Sequence, residues 1–184
     1  RFPRLRRGGL AILTGTGQGR NDGTGVSEFA VLSESASVWS AIYSYRDGAT
    51  TLPGFRAATS TDGIAWTKAG AGDVLTTSPL YGEFHHFLKI SGLYVLLYEV
   101  GNTTNRFVIN VATSSTATGA YTNFAANPVL AGSTLVGTWD RYHVATPCLV
   151  EIPTGSGQYY LYFCAAGDHE QPYSTNTWPM GVNV

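Results

Sequence analysis

The chain has 184 residues, 43% of them hydrophobic and 12% aromatic, enough to bury the core of one domain. Its net charge is −1, but five of its eleven basic residues (Arg1, Arg4, Arg6, Arg7, Arg20) fall in the first twenty, leaving six against twelve acidic ones afterwards. That balance argues against a nucleic-acid groove, since phosphate binding needs clustered Lys and Arg, and the lack of any run of about 18 apolar residues excludes a helical membrane span.

The basic start reads as a solvated terminus. Charged residues make up only 12% of the chain, against 22 glycines and many Thr and Ser, a composition expected of an extracellular or secreted β protein. Cys148 and Cys164, both on apolar segments, read as buried free thiols. The chain starts with Arg and shows no signal peptide, so it is expected to be an internal piece of something longer.

In chain order, 10–13 is apolar and closes on Thr14-Gly15-Thr16, the exit of a sheet, and 18–25 is a loop of Gly, Asn and Asp. Gly15-Thr16-Gly17-Gln18-Gly19 lacks the Lys and following helix of a phosphate loop. Four short alternating segments follow at 28–33, 38–45, 54–60 and 65–68, which predicts four strands. Asp62-Gly63 turns the chain between the last two, since Gly accepts positive φ and Asp can bond its own backbone. Four more strands are predicted at 84–90, 93–100, 107–113 and 121–124, the first two joined by a tight Ser91-Gly92 hairpin. A third set begins near Trp139 with 143–152, turns at Gly155-Ser156-Gly157 and continues as 159–165. Its tail, Gly181-Val182-Asn183-Val184, echoes Val108-Ile109-Asn110-Val111, so the chain is expected to stop inside the third strand of this set. The loop 167–179 is long for such a unit and is a candidate functional insertion.

The sets repeat. Glu28 and Glu83, Trp39 and Tyr94, Tyr43 and Tyr98, Trp66 and Tyr121, and Leu75 and Leu130 all stand 55 residues apart, while Ala58-Thr59-Ser60 and Ala112-Thr113-Ser114 stand 54 apart. A period of about 40 to 55 residues built of short strands predicts propeller blades. The expected organisation is one partial all-β propeller over 1–184: the end of one blade at 10–25, blades at 26–77 and 78–131, and an incomplete blade at 132–184. Such a fragment cannot close a ring, so the remaining blades of a longer chain are its expected partners.

These residues resemble the five-bladed propellers of glycoside hydrolase families 43 and 32. The resemblance is carried by the Ser60-Thr61-Asp62-Gly63-Ile64-Ala65-Trp66 turn, the strand Tyr159-Tyr160-Leu161-Tyr162-Phe163, the exit Asn127-Pro128-Val129-Leu130 and the Trp139-Asp140 blade entry. It implies a fragment of about three blades of a five-bladed propeller, cleaving glycosidic bonds of plant or microbial saccharides in an axial funnel. In family 43 one first-strand Glu is followed two residues later by Pro and nine later by Gly, ahead of a Tyr-rich strand. Glu83, His85 and Gly92-Leu93-Tyr94 keep that spacing with His85 in the place of Pro, which implies Glu83 as the general acid. The family's other carboxylates are aspartates just before Pro, and the third blade has Thr146-Pro147 there. Two alternatives stay open. One is a non-catalytic glycan-binding or virion-adhesin propeller; the other is a sialidase-like six-bladed propeller, whose corresponding turn has an extra residue between Asp and Gly.

Within a propeller the first strand of each blade lines the axis, so Glu28, Glu83 and Asp140 are the candidate catalytic carboxylates, a pair of which suits glycoside hydrolysis. His85 and His86 are neighbours on a strand and point to opposite faces, so only one can reach the axis. His86, His143, Arg141 and Trp178 are the candidate sugar contacts, with Tyr142 and Tyr173 completing an aromatic platform. Asp168-His169-Glu170 opens the long loop as a weak metal or substrate contact. No metal-ligand set is assigned and no cofactor is required; the resemblance is compatible with a central calcium ion. The expected partner is carbohydrate, not nucleic acid or membrane.

Overall fold

The computed structural model describes residues 25–46, 54–70, 72–77, 82–101, 106–141, 143–167 and 181–183, and no helix occurs among them. The first sheet contains β1 (Gly25–Ser35), β2 (Val38–Arg46) and β3 (Gly54–Ser60), with β4 (Thr67–Ala69) and β5 (Leu75–Thr76) both pairing with β3. The second runs β6 (Gly82–Ile90), β7 (Leu93–Gly101) and β8 (Phe107–Ser114), with β9 (Thr122–Asn123) on its far edge. The third comprises β10 (His143–Glu151), β11 (Tyr159–Ala166) and β12 (Gly181–Asn183). Within each sheet the pairing is antiparallel, and a single parallel bridge, His143 to Phe107, ties the third sheet to the second. This is a fragment of an all-β propeller.

The fourth strands are shorter than predicted, for a local reason. Asp62 Oδ1 accepts the Ile64 and Ala65 amides, both at 2.8 Å, so those groups serve the turn and β4 starts only at Thr67. These bonds hold the Asp62 carboxyl below its usual range. Gly63 completes the turn at φ 71°, with the Trp39 ring lying where a Cβ would come within 3.2 Å. In the second sheet the Tyr121 amide donates to the Val74 carbonyl of the first sheet at 2.7 Å, and β9 starts at Thr122.

The core lies between sheets. Ile42, Phe55 and Ala57 of the first pack against Phe87, Leu96 and Tyr98 of the second, all nearly or fully buried. A smaller cluster of Ile109, Val144 and Ala165 joins the second sheet to the third. Burying each such large side chain stabilises the fold by about 1.5–3 kcal/mol. The expectation of two buried thiols is corrected in part: both cysteines are free, but Cys148 is exposed and Cys164 half-buried, because Cys148 follows a bulge that turns it outward.

That bulge has counterparts. β1, β6 and β10 are the leading strands of their sheets, and β1 and β10 both pack beside β6. Each breaks register near its start: between Ser27 and Phe29 in β1, between Glu83 and His85 in β6, and between Ala145 and Cys148 in β10. Glu28 and Thr146 take positive φ values there, 22° and 54°, a region that non-glycine residues enter only at a cost.

Candidate functional site

The three bulged strands converge on a cavity of about 220 Å³ lined by Glu28, Phe29 and Ala30 of β1, His85 of β6, and Thr146 and Pro147 of β10. Glu28 and Thr146 are the positive-φ residues of their bulges, and His85 follows the bulge of its own strand, so all three cavity-lining polar residues sit at or next to a bulge. A bulge re-aims a side chain that a regular strand would send to the opposite face, which is how Glu28 comes to line the cavity.

Strand register revises the repeat equivalence. Tyr43 and Tyr98 stand 55 apart, but their cross-strand partners are Phe29 and His85, which stand 56 apart. Glu28 is therefore the counterpart of the extra residue Phe84, not of Glu83, and Glu83 is the counterpart of Ser27. By the same logic Thr146 is the bulge residue of the third sheet, and of the three bulge positions only the first carries a carboxylate.

The polar groups around the cavity are held from behind. Ser44 donates its hydroxyl to Glu28 Oε2. Glu99, buried on β7, accepts the Thr146 amide at 2.8 Å, so a carboxylate of the second sheet fixes the bulge of the third. Sequence reading passed over Glu99, although a lone acid in the apolar run Leu93-Tyr94-Val95-Leu96-Leu97-Tyr98-Glu99-Val100 was a usable signal. His85 Nε2 lies 2.8 Å from the Ile42 carbonyl oxygen, and its ring meets Phe55 edge-on at 4.9 Å. Burial pulls the His85 pKa down to about 4, against a smaller upward pull from that carbonyl.

The other proposed site residues are distributed as follows. His86 is tied between sheets, its Nδ1 accepting the Leu149 amide at 2.8 Å, and burial lowers its pKa. It is His85 that lines the cavity. His143 Nδ1 accepts the Phe107 amide at 3.1 Å and tilts against the Phe107 ring, with its pKa lowered by burial and then by the Arg106 charge. Asp140 and Arg141 are half-buried in the turn ahead of β10 and do not line the cavity. The Glu83 backbone pairs with Glu99, but its side chain lies outside the described residues, as do Tyr142, Asp168, His169, Glu170, Tyr173 and Trp178. Among the described residues no group of three or more His, Cys, Asp or Glu could hold a metal ion. Calcium takes six to eight oxygen ligands, and among the described residues Glu28 is the one carboxylate that lines the cavity, so the described residues alone do not fit a protein-held calcium.

No family model and no curated protein matches the sequence. Solved structures do share its fold. The chain is similar to BT0996 in its RGII complex, with a TM-score of 0.67 and 15% identity over 94% of this chain and 49% of that one. It is similar to Zg3597, a family 117 glycoside hydrolase produced by the marine bacterium Zobellia galactanivorans, with a TM-score of 0.62 and 19% identity over 85% and 53%. It is also similar to CoXyl43, a family 43 β-xylosidase/α-arabinofuranosidase from a compost microbial metagenome in complex with xylotriose, with a TM-score of 0.56 and 14% identity over 75% and 42%. The chain thus spans about half the length of these structures, and the likeness shows the fold: that of the β-propeller glycoside hydrolases.

Proposed function

We propose that this chain is part of a carbohydrate-active propeller that receives a saccharide where β1, β6 and β10 meet, and that the intact protein cleaves glycosidic bonds. One observation carries the reading: three bulged strands bring a carboxylate, an imidazole and a small apolar wall to one cavity. Glycoside hydrolysis uses two carboxyl groups, one to protonate the leaving oxygen and one to attack the sugar or activate water. Glu83, one residue ahead of the β6 bulge, is proposed as the acid, and Glu28 as the second carboxyl group. The fold shared with family 43 and 117 hydrolases supports the hydrolytic reading.

Glu83→Gln in the full-length protein is expected to lower hydrolysis of aryl arabinofuranosides or xylosides about 10²–10⁴-fold while sparing saccharide binding. Unchanged turnover removes the assignment. A second reading, a non-catalytic glycan receptor, is favoured by Thr146-Pro147, which stands where the resembling enzymes carry an aspartate before Pro. Saccharide binding by a wild-type protein that turns over none of these substrates would select it.

A further inference from the structure

We infer that His85 is itself a ligand-binding residue, its Nδ1 accepting a hydrogen bond from a hydroxyl of an uncharged saccharide seated in the cavity shared with Glu28. This rests on the saccharide reading above and adds a specific contact and a substrate class to it.

The tautomer follows from the partner. The Ile42 carbonyl oxygen can only accept, so the His85 nitrogen 2.8 Å from it, Nε2, carries the proton and donates. In a neutral imidazole the other nitrogen is then a lone-pair acceptor. That atom, Nδ1, is buried and has no hydrogen-bond partner among the described residues. The ring cannot readily turn to find one, because it is held at one edge by the Ile42 carbonyl and against its face or edge by Phe55. With its pKa down at about 4, the ring keeps this acceptor at neutral pH.

Buried acceptors are nearly always satisfied, so an orphan on a ring that lines a cavity calls for an O–H or N–H donor from outside the described residues. The space, about 220 Å³, is larger than a single water needs. It is below the roughly 300–1,000 Å³ of sites for drug-sized ligands, which suits one sugar ring. Glu28 adds a second acceptor, and Phe29, Ala30 and Pro147 offer apolar wall for the C–H face of the ring. A ligand meeting two acceptors must bring donors. Sugar hydroxyls do so, whereas a uronate or sulfate group would set acceptor against acceptor. The third sheet has Pro147 at the position of His85, with no side-chain acceptor, so the contact is particular to the second blade.

The test uses the full-length chain, wild type, His85→Phe and His85→Asn, titrated calorimetrically with xylotriose, arabinotriose, galactose and galacturonate. Phe keeps the packing on Phe55, and Asn returns an acceptor oxygen near the place of Nδ1. The wild type is expected to bind a neutral probe in preference to galacturonate, His85→Phe to bind it about 10–100-fold more weakly, and His85→Asn to recover part of the loss. In the wild type, the ¹⁵N resonance of His85 Nδ1 should shift on addition of the neutral probe, a readout that needs no variant. Equal neutral-probe affinity in His85→Phe with an unmoved Nδ1 resonance overturns the inference and leaves the saccharide reading standing, as does a preference for galacturonate. A wild type that binds none of the four overturns both.

Discussion

The bulges of β1 and β10 are the same backbone device put to different use. Both place a positive-φ residue at the fourth position of a leading strand, and both open onto the same cavity. In β1 the residue is Glu28, and its carboxylate is held by a hydroxyl of its own sheet, Ser44. In β10 it is Thr146, and the group held is its backbone amide, bound by Glu99 of the neighbouring sheet. Ser44 and Glu99 are themselves equivalent, 55 residues apart and paired with Ser27 and Glu83. One repeat position therefore orients a carboxylate side chain in one blade and anchors the next blade in another. The scaffold supplies the re-aimed residue; what that residue does is decided by a single side chain.

The contrast can be broken most forcefully at Glu28. Glu28→Thr makes the first bulge resemble the third, and turnover in the full-length protein is expected to fall about 10²–10⁴-fold with little change in melting temperature. Retained turnover would show that the two bulges do not differ in chemistry. Next comes the anchor. Glu99→Ala leaves the Thr146 amide without its acceptor and should cost about 1.5–3 kcal/mol in denaturant unfolding, since that bond joins a partly buried donor to a buried carboxyl acceptor. Glu99→Gln, which can still accept, should recover most of it, and equal losses in the two variants would refute the anchoring role.

A third contrast sets His85 against its β10 counterpart Pro147, which cannot titrate. Burial holds His85 at about 4 in the folded chain, below the ordinary histidine value, and lowers His86 and His143 as well. The unfolded chain therefore takes up protons first as pH falls, so stability is full above about 6.5 and declines towards 4. The His85 share should be about 2 kcal/mol at pH 5. Unfolding followed from pH 7 to 5 in the wild type and in His85→Phe should show a shallower decline in the variant; parallel curves would contradict the burial of His85. The smallest effect is expected from Thr146→Gly, which relieves the positive φ and should gain up to about 1 kcal/mol, offset by the greater entropy of the unfolded chain.

The sheets were legible in the sequence because β2 and β7 are regular: Trp39 with Tyr94 and Tyr43 with Tyr98 keep a constant spacing, and Asp62-Gly63 marks its turn with chemistry that only a tight turn needs. The leading strands were less legible. A bulge adds one residue without changing the hydrophobic pattern around it, so spacing alone matched Glu28 to Glu83 when the register matches it to Phe84. The role of Glu99 was hidden for another reason. Its partner is a backbone amide 47 residues away, and an amide leaves no trace in a sequence. His85 was half legible: alternation said that one of the two adjacent histidines faces the axis, while the choice between them depended on the same bulge.

The meeting of the bulged strands around a bound sugar is tested most directly by a crystal structure of the full-length protein soaked with xylotriose. A sugar ring should lie between β1, β6 and β10, with hydroxyls within hydrogen-bond distance of Glu28 and of His85 Nδ1. A ring bound elsewhere on the propeller, with the Glu28 carboxylate turned to bulk solvent, would contradict it.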